Sequence, residues 1–323
     1  MTPTSLASSW LRTVAATALL AVAAACGEPD APDVAEAPTP EDTAQAGTSS
    51  GWVYERTFVF TTLDRDSAYV APWLFRTRTR PGGVDRTTRG WITRGGEWEE
   101  VLDQSWETPP SRAPWRLLPR GPLTIVVGPG DAVEELVFEE GPRALELLMG
   151  DVLMEWTATD GEVLRLLDGS LVLADQEVPG MVLDRSRTLR ADGPPAGDWA
   201  FLVSGDSLQM VLERPRAGEP GAEGALRAWA RLDFRDLRWA EVTLGWAEER
   251  AFPAARRDIP VAWEVSQAEG RLRGSLQATN RWAQALEGPG PLLPLEALFS
   301  VTGTVSVEGR TYPVRGLLRH TRS

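Results

Sequence analysis

The feature that most constrains this chain is a hydropathy period of two, repeated segment after segment with almost no helical period beside it. Trp52-Val-Tyr-Glu-Arg-Thr-Phe-Val-Phe60, Ala68 to Arg80 and Arg86 to Arg94 alternate as half-buried strands do. Gly82-Gly83 and Gly95-Gly96 supply turns between them, and Pro72 predicts a bulge or an edge position within the second. From Asp151 to Gln176 three apolar runs are separated by Asp160-Gly161 and Asp168-Gly169, which read as hairpin turns. Trp199 to Val203, Ser207 to Leu212, Leu226 to Phe234, Leu237 to Trp246, Arg271 to Ala278, Leu298 to Val307 and Arg310 to His320 continue the series. The helical signal is confined to Arg281–Leu286. Without a βαβ rhythm, doubly wound and TIM-type folds are excluded. The expected fold class is all-β, with two antiparallel sandwich or barrel units after a signal peptide and a disordered tether.

The residues Pro194-Pro195-Ala196-Gly197, after the polar run Asp184 to Asp192, mark the expected internal boundary. They divide an N-terminal β domain, 51–193, from a C-terminal one, 194–323. Ahead of both stands an apolar stretch, Thr13 to Ala25, too short for a bilayer that needs about 20 residues. It suits the core of a secretory signal over residues 1–25. Ala23-Ala24-Ala25-Cys26 resembles the lipobox of bacterial lipoproteins, with Ala23 where that family prefers leucine. Cys26 is the only cysteine in the chain, so an internal disulfide is impossible and lipidation is its expected chemistry. Residues 26–50 carry six carboxylates and no base among Pro, Ala, Thr and Ser, the composition of a solvated tether. The resemblance implies a lipid-anchored protein of the cell envelope. With Gly27 after the cysteine, the periplasmic face of the outer membrane is favoured in a diderm organism.

Charge and residue counts remove whole classes of function. The chain carries −13 in all; setting aside Arg12 of the leader and the six tether carboxylates leaves −8 on residues 51–323. Such a surface argues against nucleic acid, whose binding depends on basic residues at phosphates. Every basic residue but His320 is arginine, so Schiff-base and P-loop lysine chemistry is absent. One histidine, close to the chain end, and one thiol cannot build a His/Cys zinc site, and no cofactor is expected. His320 reads as a frayed or strand-end residue, so no catalytic residue is assigned. Asp64-Arg-Asp66-Ser67 is too short for a calcium loop.

Two local clusters run against the background. Arg76-Thr-Arg78-Thr-Arg80 puts three guanidiniums on one strand face, with Arg86, Arg89 and Arg94 following and Asp85 the single acid among them. Arginine forks suit phosphate or carboxylate, so Arg76, Arg78 and Arg80 are candidate ligand-binding residues for an anionic lipid or glycolipid head. Glu97, Glu99, Glu100 and Asp103 cluster beside Trp98 and Trp106, the carboxylate and aromatic types that glycosidases use. Thirteen of the 14 tryptophans lie beyond residue 50 and are expected in cores or at barrel mouths.

Two consecutive antiparallel units closed by the hairpin Phe299-Ser-Val-Thr-Gly-Thr-Val-Ser-Val307 and Thr311 to His320 resemble the two-barrel, lipocalin-like proteins related to carotenoid hydratases. The resemblance implies a fold with an apolar cavity and carries over no catalytic residue. The leading expectation is a membrane-anchored envelope lipoprotein that binds an apolar, lipid or saccharide ligand without catalysis. Two alternatives stand beside it: a carboxylate-based enzyme on carbohydrate or isoprenoid substrates, and a structural subunit of an envelope complex.

Overall fold

The computed structural model describes residues 51–64, 68–158, 161–174, 176–191, 197–214 and 225–322. The signal segment, Cys26, the tether, residues 65–67, Asp160, residues 192–196 and residues 215–224 lie outside the described residues. Residues Ser50–Ser323 form one compact unit. It contains two antiparallel sheets.

The first comprises β1 (Trp52–Thr62), β2 (Tyr69–Arg80), β3 (Gly83–Arg94), β4 (Trp98–Thr108), β5 (Leu123–Val127), β6 (Val133–Glu140), β7 (Arg143–Thr157), β8 (Val163–Leu173) and β9 (Gln176–Arg190). Its order is β4-β3-β2-β1-β9-β8-β7-β6-β5, with the first and last strands side by side at the centre. The sheet curls into a half-barrel, so that Trp73 of β2 and Phe138 of β6 meet with ring centroids 6.3 Å apart. The second comprises β10 (Trp199–Ser204), β11 (Leu208–Glu213), β12 (Leu226–Leu232), β13 (Arg235–Phe252), β14 (Arg257–Gln267), β15 (Leu272–Ala285), β16 (Leu295–Val307) and β17 (Arg310–Arg322). These close into a barrel in chain order, β17 pairing back onto β10. The fold is all-β with two antiparallel barrel-type units.

Strand alternation sorts side chains into three cores. Phe58, Phe60, Trp73, Phe75, Ile92, Phe138 and Val182 fill the half-barrel. Leu202, Met210, Trp239, Trp263, Phe299 and Leu318 fill the closed barrel. The opposite faces of the same strands, with Val59, Leu74, Trp91, Trp156 and Leu183 from one sheet and Trp199, Phe201, Trp229 and Leu317 from the other, make a third core between the two units. Each tryptophan buried there removes a large apolar area from water, which is why the chain carries so many.

Three expectations need correcting. Arg281–Leu286 is not helical: Arg281 to Ala285 end β15, paired residue for residue with Phe299 to Leu295 of β16, because cross-strand burial outweighs weak local propensity. Pro72 lies in an interior strand, not at an edge; the β2–β3 ladder simply skips Ala71 and Pro72, where proline has no N–H to give. Asp168-Gly169 is no turn but the middle of β8. A side chain at Gly169 would press within 2.4 Å of the Leu148 carbonyl, so glycine serves close packing there. The turn that follows β8 begins at Ala174, with φ +51°. The polar run from Asp184 belongs to β9, which continues to Arg190 with Asp184, Arg185 and Arg187 buried.

Candidate functional site

One end of the half-barrel lumen is open. A cavity of about 190 Å³ is lined by Tyr54, Arg56, Phe75, Thr77, Trp115 and Leu117, with Ser186 and Thr188 completing its rim. Parity places these groups: Tyr54 and Arg56 share the β1 face of Phe58, Thr77 the β2 face of Phe75, and Ser186 and Thr188 the β9 face of Val182. Trp115 and Leu117 come from the segment 109–122 between β4 and β5, which caps this end. Trp115 sits 6.0 Å from the Tyr54 ring, and burial raises the Tyr54 phenol above its ordinary pKa.

Directly behind this wall is Arg86. Its position on β3 shares the inward face of Val84 and Ile92, and the residue is 4% exposed. Its Nε donates to Thr108 Oγ1 (3.3 Å) and its Nη1 to Thr77 Oγ1 (3.3 Å) and the Arg116 carbonyl (2.9 Å). All three acceptors are neutral. Among the described residues no carboxylate pairs with it, and burial lowers its pKa. Arg56 differs: it forms a fork onto Asp184, Nε to Oδ1 at 2.9 Å and Nη2 to Oδ2 at 2.8 Å. The cavity therefore combines aromatic walls and hydroxyls with Glu55, Arg56 and Arg187 on its lining, and Arg86 stands one layer behind it, hydrogen-bonded to the lining Thr77.

A second cavity, about 260 Å³, opens at the other end between β3–β4 and β7–β9, lined by Ile92, Val101, Phe138, Leu145 and Leu173 with Arg94 and Arg143. Between the two, Phe58, Trp73 and Phe75 pack the lumen. Gly90 permits this: a side chain there would meet the Trp73 ring at 2.5 Å.

Arg76, Arg78 and Arg80 occupy the opposite face of β2, that of Leu74, and do not reach either cavity. Arg76 pairs with the buried Glu55 (2.8 Å), Arg80 with Asp85 (2.6 Å) and Glu107, while Arg78 is exposed. The acidic cluster on β4 is spread over separate partners: Glu99 faces Arg143 (3.4 Å), Asp103 faces Arg89 (3.1 Å), and Glu100 accepts from Trp91 Nε1 (3.1 Å).

Between the two units lies a buried ionic cluster. Arg185, 1% exposed, reaches Glu55 (3.5 Å), Glu162 (3.0 Å) and Glu213. Arg187 and Arg227 also face Glu162, and Arg319 bridges Glu55 (3.0 Å) and Glu296 (2.7 Å). Burial alone would raise Glu55, but Arg319, Arg76, Arg185 and Arg187 hold it well below the usual carboxylate range. Burial, reinforced by the adjacent Glu213 carboxylate, keeps Glu162 well above that range against the pull of its arginines. On Glu213 burial is outweighed by Arg185 and by a hydrogen bond from Glu162, so its pKa is lowered. The two neighbouring carboxyls are thus shifted in opposite directions. Glu162 and Glu213 are buried between the packed sheets and help fasten the units together, while Glu55 and Arg187 of the same cluster also line the first cavity.

His320 is neither frayed nor exposed. On β17 it shares the inward face of Leu318, 1% exposed, and its Nδ1 lies 2.7 Å from Oδ1 of Asp198. Trp246 packs edge-on against the ring with centroids 5.4 Å apart. Its buried Nε2 has no partner among the described residues. A carboxylate placed in this way orients the imidazole and fixes its tautomer.

One signal for these residues was present in the sequence. Val84, Arg86, Thr88, Gly90 and Ile92 alternate on one otherwise apolar or small face, which singles out Arg86 within the arginine-rich stretch. Asp198 beside Trp199 gave no comparable sign of His320, because the pair joins residues 122 apart.

No protein-family model and no curated protein matches the chain. Solved structures do. A protein provisionally assigned as AttH from Nitrosomonas europaea matches with TM-score 0.54 at 12% identity, covering 91% of this chain and 100% of that one. Kievitone hydratase from Nectria haematococca matches with TM-score 0.52 at 13% identity, covering 85% and 90%. CghA matches with TM-score 0.51 at 14% identity, covering 85% and 89%. These likenesses show the fold: a lipocalin-like, two-barrel architecture.

Proposed function

We propose that this protein is a membrane-anchored envelope lipoprotein that binds an apolar ligand with an anionic head in the capped end of the half-barrel. Arg86 carries the reading. A guanidinium this buried is costly unless something compensates it, and here only neutral oxygens do so. An anionic group reaching the cavity wall would supply the missing charge while Phe75, Trp115 and Leu117 take the apolar part. The test uses a fluorescent polyene fatty acid and its methyl ester as probes. Arg86→Gln should weaken the acid about 10- to 100-fold, the worth of a charged hydrogen bond, and leave the ester unchanged. Equal loss for both probes, or none for either, would refute the assignment. Arg86→Lys, which keeps the charge but not the fork, guards against a folding defect.

A second reading has an observation of its own. The Asp198–His320 pair has the parts of a proton-transfer device, and a structural neighbour is named a hydratase, an activity that requires proton transfer to a double bond. On this reading the chain is an enzyme that hydrates an apolar alkene, with His320 moving the proton. Turnover of such substrates that vanishes in His320→Gln would favour it over simple binding.

A further inference from the structure

The segment 109–122 does more than cap the cavity. It reads Pro-Pro-Ser-Arg112-Ala-Pro-Trp115-Arg116-Leu-Leu118-Pro-Arg120-Gly-Pro: three arginines and no acid, within a body whose formal charge is −8. All three arginines are exposed, Trp115 is 55% exposed and Leu118 39%. A tryptophan left half in water forgoes much of its burial energy, and a rigid loop that displays it needs a reason.

The loop is rigid. Five prolines fix its backbone, Arg86 holds the Arg116 carbonyl from inside, Arg120 stacks over Trp106 at 5.6 Å, and the Pro122 carbonyl accepts from the Glu139 amide at 3.0 Å. The cations are weakly engaged. Arg112 has no acidic partner among the described residues, and Arg116 meets only the exposed Asp131 at 3.9 Å. That contact sets the β5–β6 turn against the loop, with exposed Val126 and Val127 leading into it.

Exposed tryptophan and leucine among weakly engaged arginines are the chemistry of a bilayer interface, where the ring sits at headgroup level and guanidiniums meet lipid phosphates. We infer that residues 109–122 dock on an anionic lipid surface, Trp115 and Leu118 entering the headgroup–acyl boundary. Trp115 and Leu117 also wall the cavity, so docking turns its mouth toward the bilayer. The inference rests on the composition and exposure of the loop and stands apart from the ligand reading.

The full chain, reconstituted in vesicles of brominated phosphatidylcholine with or without phosphatidylglycerol, tests it through quenching of tryptophan emission. Quenching should appear with phosphatidylglycerol, fall in high salt, and lose its lipid-dependent part in Trp115→Phe. Replacing Arg112, Arg116 and Arg120 with Gln together should lower the docking equilibrium roughly a hundredfold, at about one basic residue's worth each. Quenching unchanged in Trp115→Phe, or equal with and without phosphatidylglycerol, would overturn the inference. Capture of an acidic protein by the loop without lipid contact would overturn it in favour of a protein surface. Lost docking with fatty-acid binding intact would leave the cavity reading standing.

Discussion

Replacing Arg185 with methionine should be among the most destabilising single changes in the molecule. The side chain is 1% exposed and serves three carboxyls at once, Glu55, Glu162 and Glu213, while stacking over Trp199 at 5.0 Å. After its removal Glu55 keeps Arg319 and Arg76, but Glu213 keeps only Arg187 at 3.8 Å. Leaving one partner of a buried pair uncompensated costs about 3–5 kcal/mol, set against a whole stability on the order of 5–15 kcal/mol. Methionine recovers part of the volume, so the loss is electrostatic and not a cavity. Urea denaturation followed by tryptophan emission should show the midpoint falling by that free energy with the slope unchanged. Adding Glu213→Gln to Arg185→Met should restore part of the loss, because the orphaned charge goes with it. Arg80→Met, which breaks exposed pairs with Asp85 and Glu107, should change nothing measurable. An Arg185→Met protein as stable as Arg80→Met would refute the view that this cluster fastens the two units.

Further outcomes follow from the same geometry. Glu162→Gln should be milder than Glu213→Gln, because the surroundings raise the Glu162 pKa and so disfavour its charged form, whereas they favour that of Glu213; denaturation at neutral pH compares them, and the reverse order would contradict these opposite shifts. Glu55 and Glu213 have lowered pKa values, so their stabilisation is present above the ordinary carboxylate pKa and is lost as pH falls through and below it. Glu162, raised, contributes in the opposite sense, fully below that pKa and lost as pH rises through its own, so Glu162→Gln should flatten the alkaline side of the stability profile. Proton NMR of the single histidine should show a slowly exchanging Nδ1–H that disappears in Asp198→Ala. Gly90→Ala should cost about 1–3 kcal/mol by overpacking Trp73, read as a lowered Tm.

Much of the fold was legible because one strand face is apolar. β1 to β3 and the final hairpin alternate cleanly, and their bounds lie close to those read from sequence. β9 was not legible. Asp184, Arg185 and Arg187 look like a polar linker, and they are buried only because Glu213 and Glu162 reach them from distant strands. Asp168-Gly169 misled because glycine serves close packing as well as positive φ. The site was less legible than the fold. Within the stretch 76–94, parity places Arg86 on the face of Val84 and Ile92 and turns Arg76, Arg78 and Arg80 to the face of Leu74. His320 looked terminal in sequence, and β10–β17 pairing is what places it inside a barrel.

Native mass spectrometry of the protein released gently from its host membrane tests the central claim most directly. The account predicts a stoichiometric, acid-bearing lipid adduct beyond any acylation at Cys26, present in the wild type and absent in Arg86→Gln. A wild-type protein that flies without ligand, or an adduct indifferent to Arg86, would contradict it.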